Sequence, residues 1–78
     1  ARTAKRYDEL LRLCELLVRR DPYRESAHRA YMEALGALGE RARALAHYES
    51  LCGMLQREFG ASPSSETQRV VEQLRSYT

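Results

Sequence analysis

The sequence predicts an all-α domain of about four helices, folded back on one another as antiparallel hairpins. Three observations lead there. Apolar residues recur at three- and four-residue spacings along the whole chain. No stretch alternates apolar and polar residues as a half-buried strand would. The helical pattern is punctuated at Asp21-Pro22, at Gly39 and at Gly60 to Pro63.

The first segment carries Tyr7, Leu10, Leu11, Cys14, Leu17 and Val18 on one broad stripe and is predicted as a helix over 5–20. Asp21 is expected to cap the next helix, with Pro22 pre-set at its first position. That second helix, predicted over 23–38, has Ala27, Ala30, Tyr31, Ala34, Leu35 and Leu38 as its apolar set. Gly36 lies inside it and, with Ala30, Ala34 and Ala37, leaves a surface that a neighbouring helix can approach closely. Gly39 can take the left-handed conformation that closes a helix. The third helix, 40–59, runs through Leu45, Tyr48, Leu51, Cys52, Met54, Leu55 and Phe59. Its end is spelled REFGASPSSET, in which Phe59 is read as the last apolar knob. Gly60 permits a positive φ at the cap, Pro63 stops continuation, Ser64 is a strong N-cap and Glu66 sits against the positive end of the next dipole. The fourth helix, 65–76, presents Val70, Val71 and Leu74, with Tyr77 continuing the stripe, and is expected to cover the open face of the preceding hairpin. Asp8–Arg12, Glu15–Arg19 and Glu25–Arg29 stand as i,i+4 pairs in the favourable order.

With 78 residues the chain is one small domain, 1–78. Thirteen Lys/Arg against eleven Asp/Glu leave a net charge of +2, too little to argue for nucleic acid, and the signs alternate along the chain. No apolar run approaches the ~18 residues a membrane helix needs. The opening ARTAKRYDELLR has no apolar core of a signal peptide and no initiator Met, and the chain reads as a piece of a longer protein. Cys14 and Cys52 lie in apolar stripes and read as reduced thiols of a cytoplasmic protein.

A shift of about 34 residues superposes Leu11 on Leu45, Cys14 on Tyr48, Glu15 on Glu49, Leu17 on Leu51 and Val18 on Cys52. That period is the mark of tetratricopeptide-type hairpins, and Gly39, Ala44 and Tyr48 stand at the spacings of that signature. His28 stands where that family often has tryptophan and Met32 where it has glycine, which describes a divergent relative.

The run DPYRESAHRAYMEALGALGERARALAHYESL, followed by LQREFGASPSSET, resembles the bacterial transcriptional activator domain. The residues that carry the likeness are Asp21, Pro22, Arg24, Glu25, Gly39, Ala44, Leu45, Tyr48, Glu49, Glu58, Gly60, Pro63, Ser64, Glu66 and Thr67. Ser65 stands where that family often has a second proline. The resemblance implies a tetratricopeptide-like helical module of actinobacterial antibiotic-regulatory activators and related regulators, here the C-terminal half of the larger helical domain. It implies protein contacts with the regulator's other domains, a second protomer or RNA polymerase. DNA would be touched only through a separate winged-helix domain. The alternative reading is a tetratricopeptide-type adaptor unrelated to transcription. Transferring the groove positions of the tetratricopeptide repeat puts the protein-binding face on Ser26, Arg29 and Glu33.

Other chemistry finds little support. His28 and His47 fall on different helices, and although His28 could pair with Glu25 or Met32 on its own face, this is not the spacing of a metal-ligand set. Cys14 or Cys52 with His47 makes a poor nucleophile pair, and there is no phosphate-cradling glycine loop, so neither catalysis nor a cofactor is expected. Ser64, Ser65 and Thr67 read as capping residues and not as phosphorylation sites. Arg19, Arg20 and Arg24 read as a solvated basic spot. Because repeat hairpins bury one face against each neighbour, the first helix is expected to leave Tyr7, Leu11, Cys14 and Val18 partly bare, giving a weak homodimer of helix one on helix one.

Overall fold

The computed structural model describes residues 2–76, and Tyr77 of the expected fourth stripe lies outside them. Four helices follow one another, α1 (Arg2–Arg20), α2 (Glu25–Ala37), α3 (Arg41–Phe59) and α4 (Ser65–Ser76), with no strand among the described residues. They form a slab of 42 × 30 × 17 Å. α2 is its centre: α1, α3 and α4 all pack on α2, α4 also packs on α3, and α1 touches neither α3 nor α4.

Helix directions follow from the contacts at the helix ends. Tyr23, just before α2, meets Phe59 at the end of α3, with ring centroids 5.1 Å apart, so α2 and α3 are antiparallel. Glu25 and Ser64 meet at the starts of α2 and α4, while Gly36 and Leu74 meet at their ends, so these two helices run parallel. A β-carbon at Gly36 would lie 2.6 Å from the Leu74 Cδ2, so the close approach expected at this glycine is real. The core is Met32 and Leu35 of α2, Ala44 of α3, and Val71 and Leu74 of α4, with Leu11, Tyr31, Leu45, Tyr48 and Val70 packed around it.

Both glycine closures are present. Gly39 has φ 79°, and the amides of Gly39 and Glu40 return to the carbonyls of Gly36 and Leu35 at 3.1 and 2.8 Å. Those two bonds are the Schellman closure of a helix C-terminus. Gly60 has φ 59° and donates to the Gln56 carbonyl at 3.0 Å.

Several expectations are corrected. α2 starts at Glu25, with Arg24 as its N-cap and no side-chain cap bond, and so not at 23 with Asp21 capping. Asp21 and Pro22 instead open a turn, in which the Arg24 amide donates to the Asp21 carbonyl at 3.1 Å and the two side chains pair at 3.4 Å. Aspartate followed by proline suits the first two positions of a β-turn as well as it suits a helix start. α1 begins at Arg2, earlier than expected, and α3 begins at Arg41. Phe59 is exposed and lies edge-on against Tyr23 instead of entering the core. None of the three i,i+4 pairs is an ion pair within 4.0 Å among the described residues, in keeping with the small gain from exposed pairs. The expected bare stripe of α1 is also displaced. Cys14 is buried, and Tyr7, Leu11 and Val18 are half-buried beside it, so this face is the one that docks on α2. The exposed large apolar residues of α1 are Leu10, Leu13, Leu16 and Leu17.

Candidate protein-interaction surface

Ser26, Arg29 and Glu33 share one face of α2, because offsets of three and seven return to the same side of a helix. Ser26 and Glu33 are exposed. Glu33 stands at the edge of an open groove of about 940 Å³ whose walls come from α2, α3 and α4 and include Arg41, Leu45, Val70, Gln73 and Leu74. Its floor is low because Gly36 and Ala37 carry little or no side chain there. Apolar walls framed by a carboxylate, a guanidinium and an amide suit an extended or helical peptide segment.

Arg29 has a different task. It is half-buried, and its Nη1 donates to the Thr67 Oγ1 at 3.2 Å and to the Ser64 Oγ at 3.5 Å. Those hydroxyls open α4, and a second α2 residue meets them. The Glu25 carboxylate accepts from the Ser64 amide at 3.0 Å, from the Ser64 hydroxyl at 3.0 Å and from the Thr67 hydroxyl. Within α4, the Thr67 amide donates to the Ser64 Oγ at 3.4 Å, the N-cap bond expected of Ser64. Burial alone would raise the Glu25 pKa, but the donors on Thr67 and Ser64, together with the charge of Arg29, hold it below the ordinary glutamate value. Sequence reasoning paired Glu25 with Arg29 along one helix. The structure points both at the start of α4, about 40 residues away, and no local spacing signals such a partner.

The two histidines, distant in sequence, meet between α2 and α3. The His28 Nδ1 and the His47 Nε2 are 2.8 Å apart, and the His28 Nε2 is 2.7 Å from the Pro22 carbonyl oxygen. A carbonyl only accepts, so His28 carries its proton on Nε2 and its Nδ1 accepts from the His47 Nε2–H when both rings are neutral. Tyr31 stands edge-on to His47 with centroids 4.6 Å apart. Burial first, and then the neighbouring His28, push the His47 pKa down to about 4. His28 therefore pairs with His47 and Pro22, and not with Glu25 or Met32 as the sequence suggested. No group of three or more metal-ligating side chains forms among the described residues. Both cysteines are free, and burial raises the Cys14 thiol above its ordinary pKa, the opposite of what a nucleophile needs.

Every buried polar side-chain atom among the described residues has a hydrogen-bond partner. Those groups are thus occupied within the fold.

No curated protein and no solved structure matches the chain. The family model of the bacterial transcriptional activator domain matches residues 1–75, a span that includes all four helix starts and both glycine closures. With its Asp21-Pro22 turn, its glycine-closed hairpin and its Ser64-capped fourth helix, the chain belongs to the bacterial transcriptional activator domain family.

Proposed function

We propose that this domain is a protein–protein contact module of a bacterial transcriptional regulator, working in the cytoplasm on another domain of that regulator, a second protomer or RNA polymerase. The observation that supports this reading best is the exposed α2 face of Ser26 and Glu33, with Glu33 at the edge of the α2–α3–α4 groove. The groove offers Leu45 and Val70 as apolar contact and Glu33 and Arg41 as charges that set orientation. Arg29 contributes by fixing the α4 wall of that groove. The module carries no reaction chemistry of its own, and DNA is read by a separate domain.

The test uses Glu33→Arg and Ser26→Trp in the complete regulator, with promoter binding, activated transcription and capture of purified RNA polymerase measured together. Both side chains are exposed, so the melting temperature should stay the same. Activated transcription should drop about tenfold while promoter affinity is retained, as expected for a contact worth about 1.4 kcal/mol. Full activation by both variants would remove the α2 face from the function.

A further inference from the structure

The open end of the α2–α3 hairpin carries a second surface, at the far end from the groove that Gly36, Gly39 and Arg41 help to line. Tyr23 and Phe59 meet there at 5.1 Å with their rings 82° apart, and they are 50% and 58% exposed. Neither belongs to the core cluster. Two perpendicular rings cannot cover each other, because the ring that offers its edge keeps both of its own faces clear of its partner. An aromatic face is electron-rich and attracts a cation placed within ~6 Å of the ring centre.

A carboxylate stands beside the two rings. The Tyr23 hydroxyl donates to the Glu58 Oε1 at 3.2 Å. That bond and the charge of Glu58 raise the Tyr23 pKa, so the phenol keeps its proton and stays fixed beside the acid. The Glu58 Oε2 has no hydrogen-bond partner among the described residues.

The chain's own cations are turned elsewhere. Arg24 pairs with Asp21 at 3.4 Å. Arg57 reaches back one helical turn, with its Nη1 3.2 Å from where a β-carbon on Gly53 would stand. Arg19 and Arg20 belong to α1, which packs on α2 and not on α3. Among the described residues no basic nitrogen comes within 4.0 Å of Glu58.

Shape and charge together name the occupant. The corner is open on its outer side, so it suits a group carried on another surface and gives a free small molecule too little contact. A guanidinium is planar, stacks on an aromatic ring and forks onto a carboxylate, whereas an ammonium is a compact and strongly hydrated charge. We infer that Tyr23, Glu58 and Phe59 form a receptor for an arginine side chain of a partner protein, its guanidinium stacked on the open ring face and forked onto the Glu58 carboxylate.

Blocked peptides of sequence Gly-Ser-Arg-Ser-Gly, and the same peptides with citrulline or lysine in place of arginine, test this. Each is titrated into the chain while the aromatic side-chain NMR signals of Tyr23 and Phe59 are followed. The arginine peptide should shift both sets of signals with a Kd of about 1 mM. The citrulline peptide, which keeps the shape and loses the charge, should bind about tenfold more weakly, and the lysine peptide about threefold more weakly. Glu58→Gln keeps an oxygen that accepts from Tyr23, so its melt should be unchanged while the arginine peptide binds about tenfold more weakly. Phe59→Leu should weaken binding as well, and Glu33→Arg, at the other end of the hairpin, should leave it unaltered. Equal binding of citrulline or lysine, the absence of a saturable shift, or a shift spread over exposed carboxylates in general would overturn the proposal. So would binding that Glu58→Gln leaves intact or that Glu33→Arg removes.

Discussion

α2 is joined to α4 and to α3 by seams of opposite chemistry. At the α4 seam a charged carboxylate, Glu25, gathers the Ser64 amide and the hydroxyls of Ser64 and Thr67, with Arg29 beside it. At the α3 seam the His47 imidazole, kept neutral by burial, shares a hydrogen bond with His28 under the edge of Tyr31. The first seam works because the buried group is ionised and its donors converge. The second works because His47 stays neutral. Burial opposes charge at both places, and the difference is whether enough donors arrive to outweigh it.

The largest expected effect comes from deleting the charge at the first seam. Glu25→Ala leaves the start of α4 without its acceptor and should cost about 2–3 kcal/mol in a denaturant melt, the usual loss for hydrogen bonds to a charged group. A loss below half of that would mean that Ser64 and Thr67 are served by water. Arg29→Glu places a second carboxylate beside Glu25 and removes the donor to Thr67, for about 2 kcal/mol. Arg29 is therefore a poor probe of partner binding, since its reversal weakens the fold that presents the surface. Gly60→Val attacks the same seam through the turn that delivers Ser64, and a β-branched residue at φ 59° should cost about 1–2 kcal/mol. An unchanged melt would show that α4 finds its seat without that closure.

pH separates the seams without any large substitution. His47 has an ordinary pKa of 6.5 and a folded value of about 4, so the unfolded chain takes up a proton that the folded chain refuses. Stability should therefore fall as pH drops below about 6.5, and the loss should level off below about 4. The folded value of Glu25 lies below its ordinary 4.5, so its contribution is complete above 4.5 and is lost only as pH falls further. Melts of His47→Gln should lose the upper window and keep the lower one. Retention of the upper window would assign it elsewhere. The smallest effect is expected at Leu13→Glu, on neither seam, where stability should change by no more than about 0.5 kcal/mol.

The four helices were legible in the sequence because their signals are local. Apolar spacing, the Gly39 and Gly60 closures and the Ser64 cap each work within a few residues, and α4 runs over the expected 65–76. The start of α2 was misread because aspartate and proline satisfy two local geometries, and the choice between them is made by the tertiary contacts of Pro22 and Tyr23. The seams were illegible for a related reason. Glu25 has an arginine four residues along and a serine 39 residues away, and nothing in spacing ranks the distant partner first. α1 is apolar around more than half of its circumference, so the pattern says that one face docks and does not say which. That Ser26, Arg29 and Glu33 share one face of α2 was legible from their spacing. The groove beside it depends on how three helices assemble, and so does the diversion of Arg29 into α4.

That α1 touches α2 alone has a dynamic consequence. A helix attached along one side can lift off as a unit while the other three stay assembled around Met32, Leu35 and Leu74. The chain thus contains two cooperative units of unequal rank, one peripheral and one global. Amide protons near Cys14 should exchange with solvent through partial opening, at rates that denaturant hardly alters. Those near Leu35 and Leu51 should wait for complete unfolding.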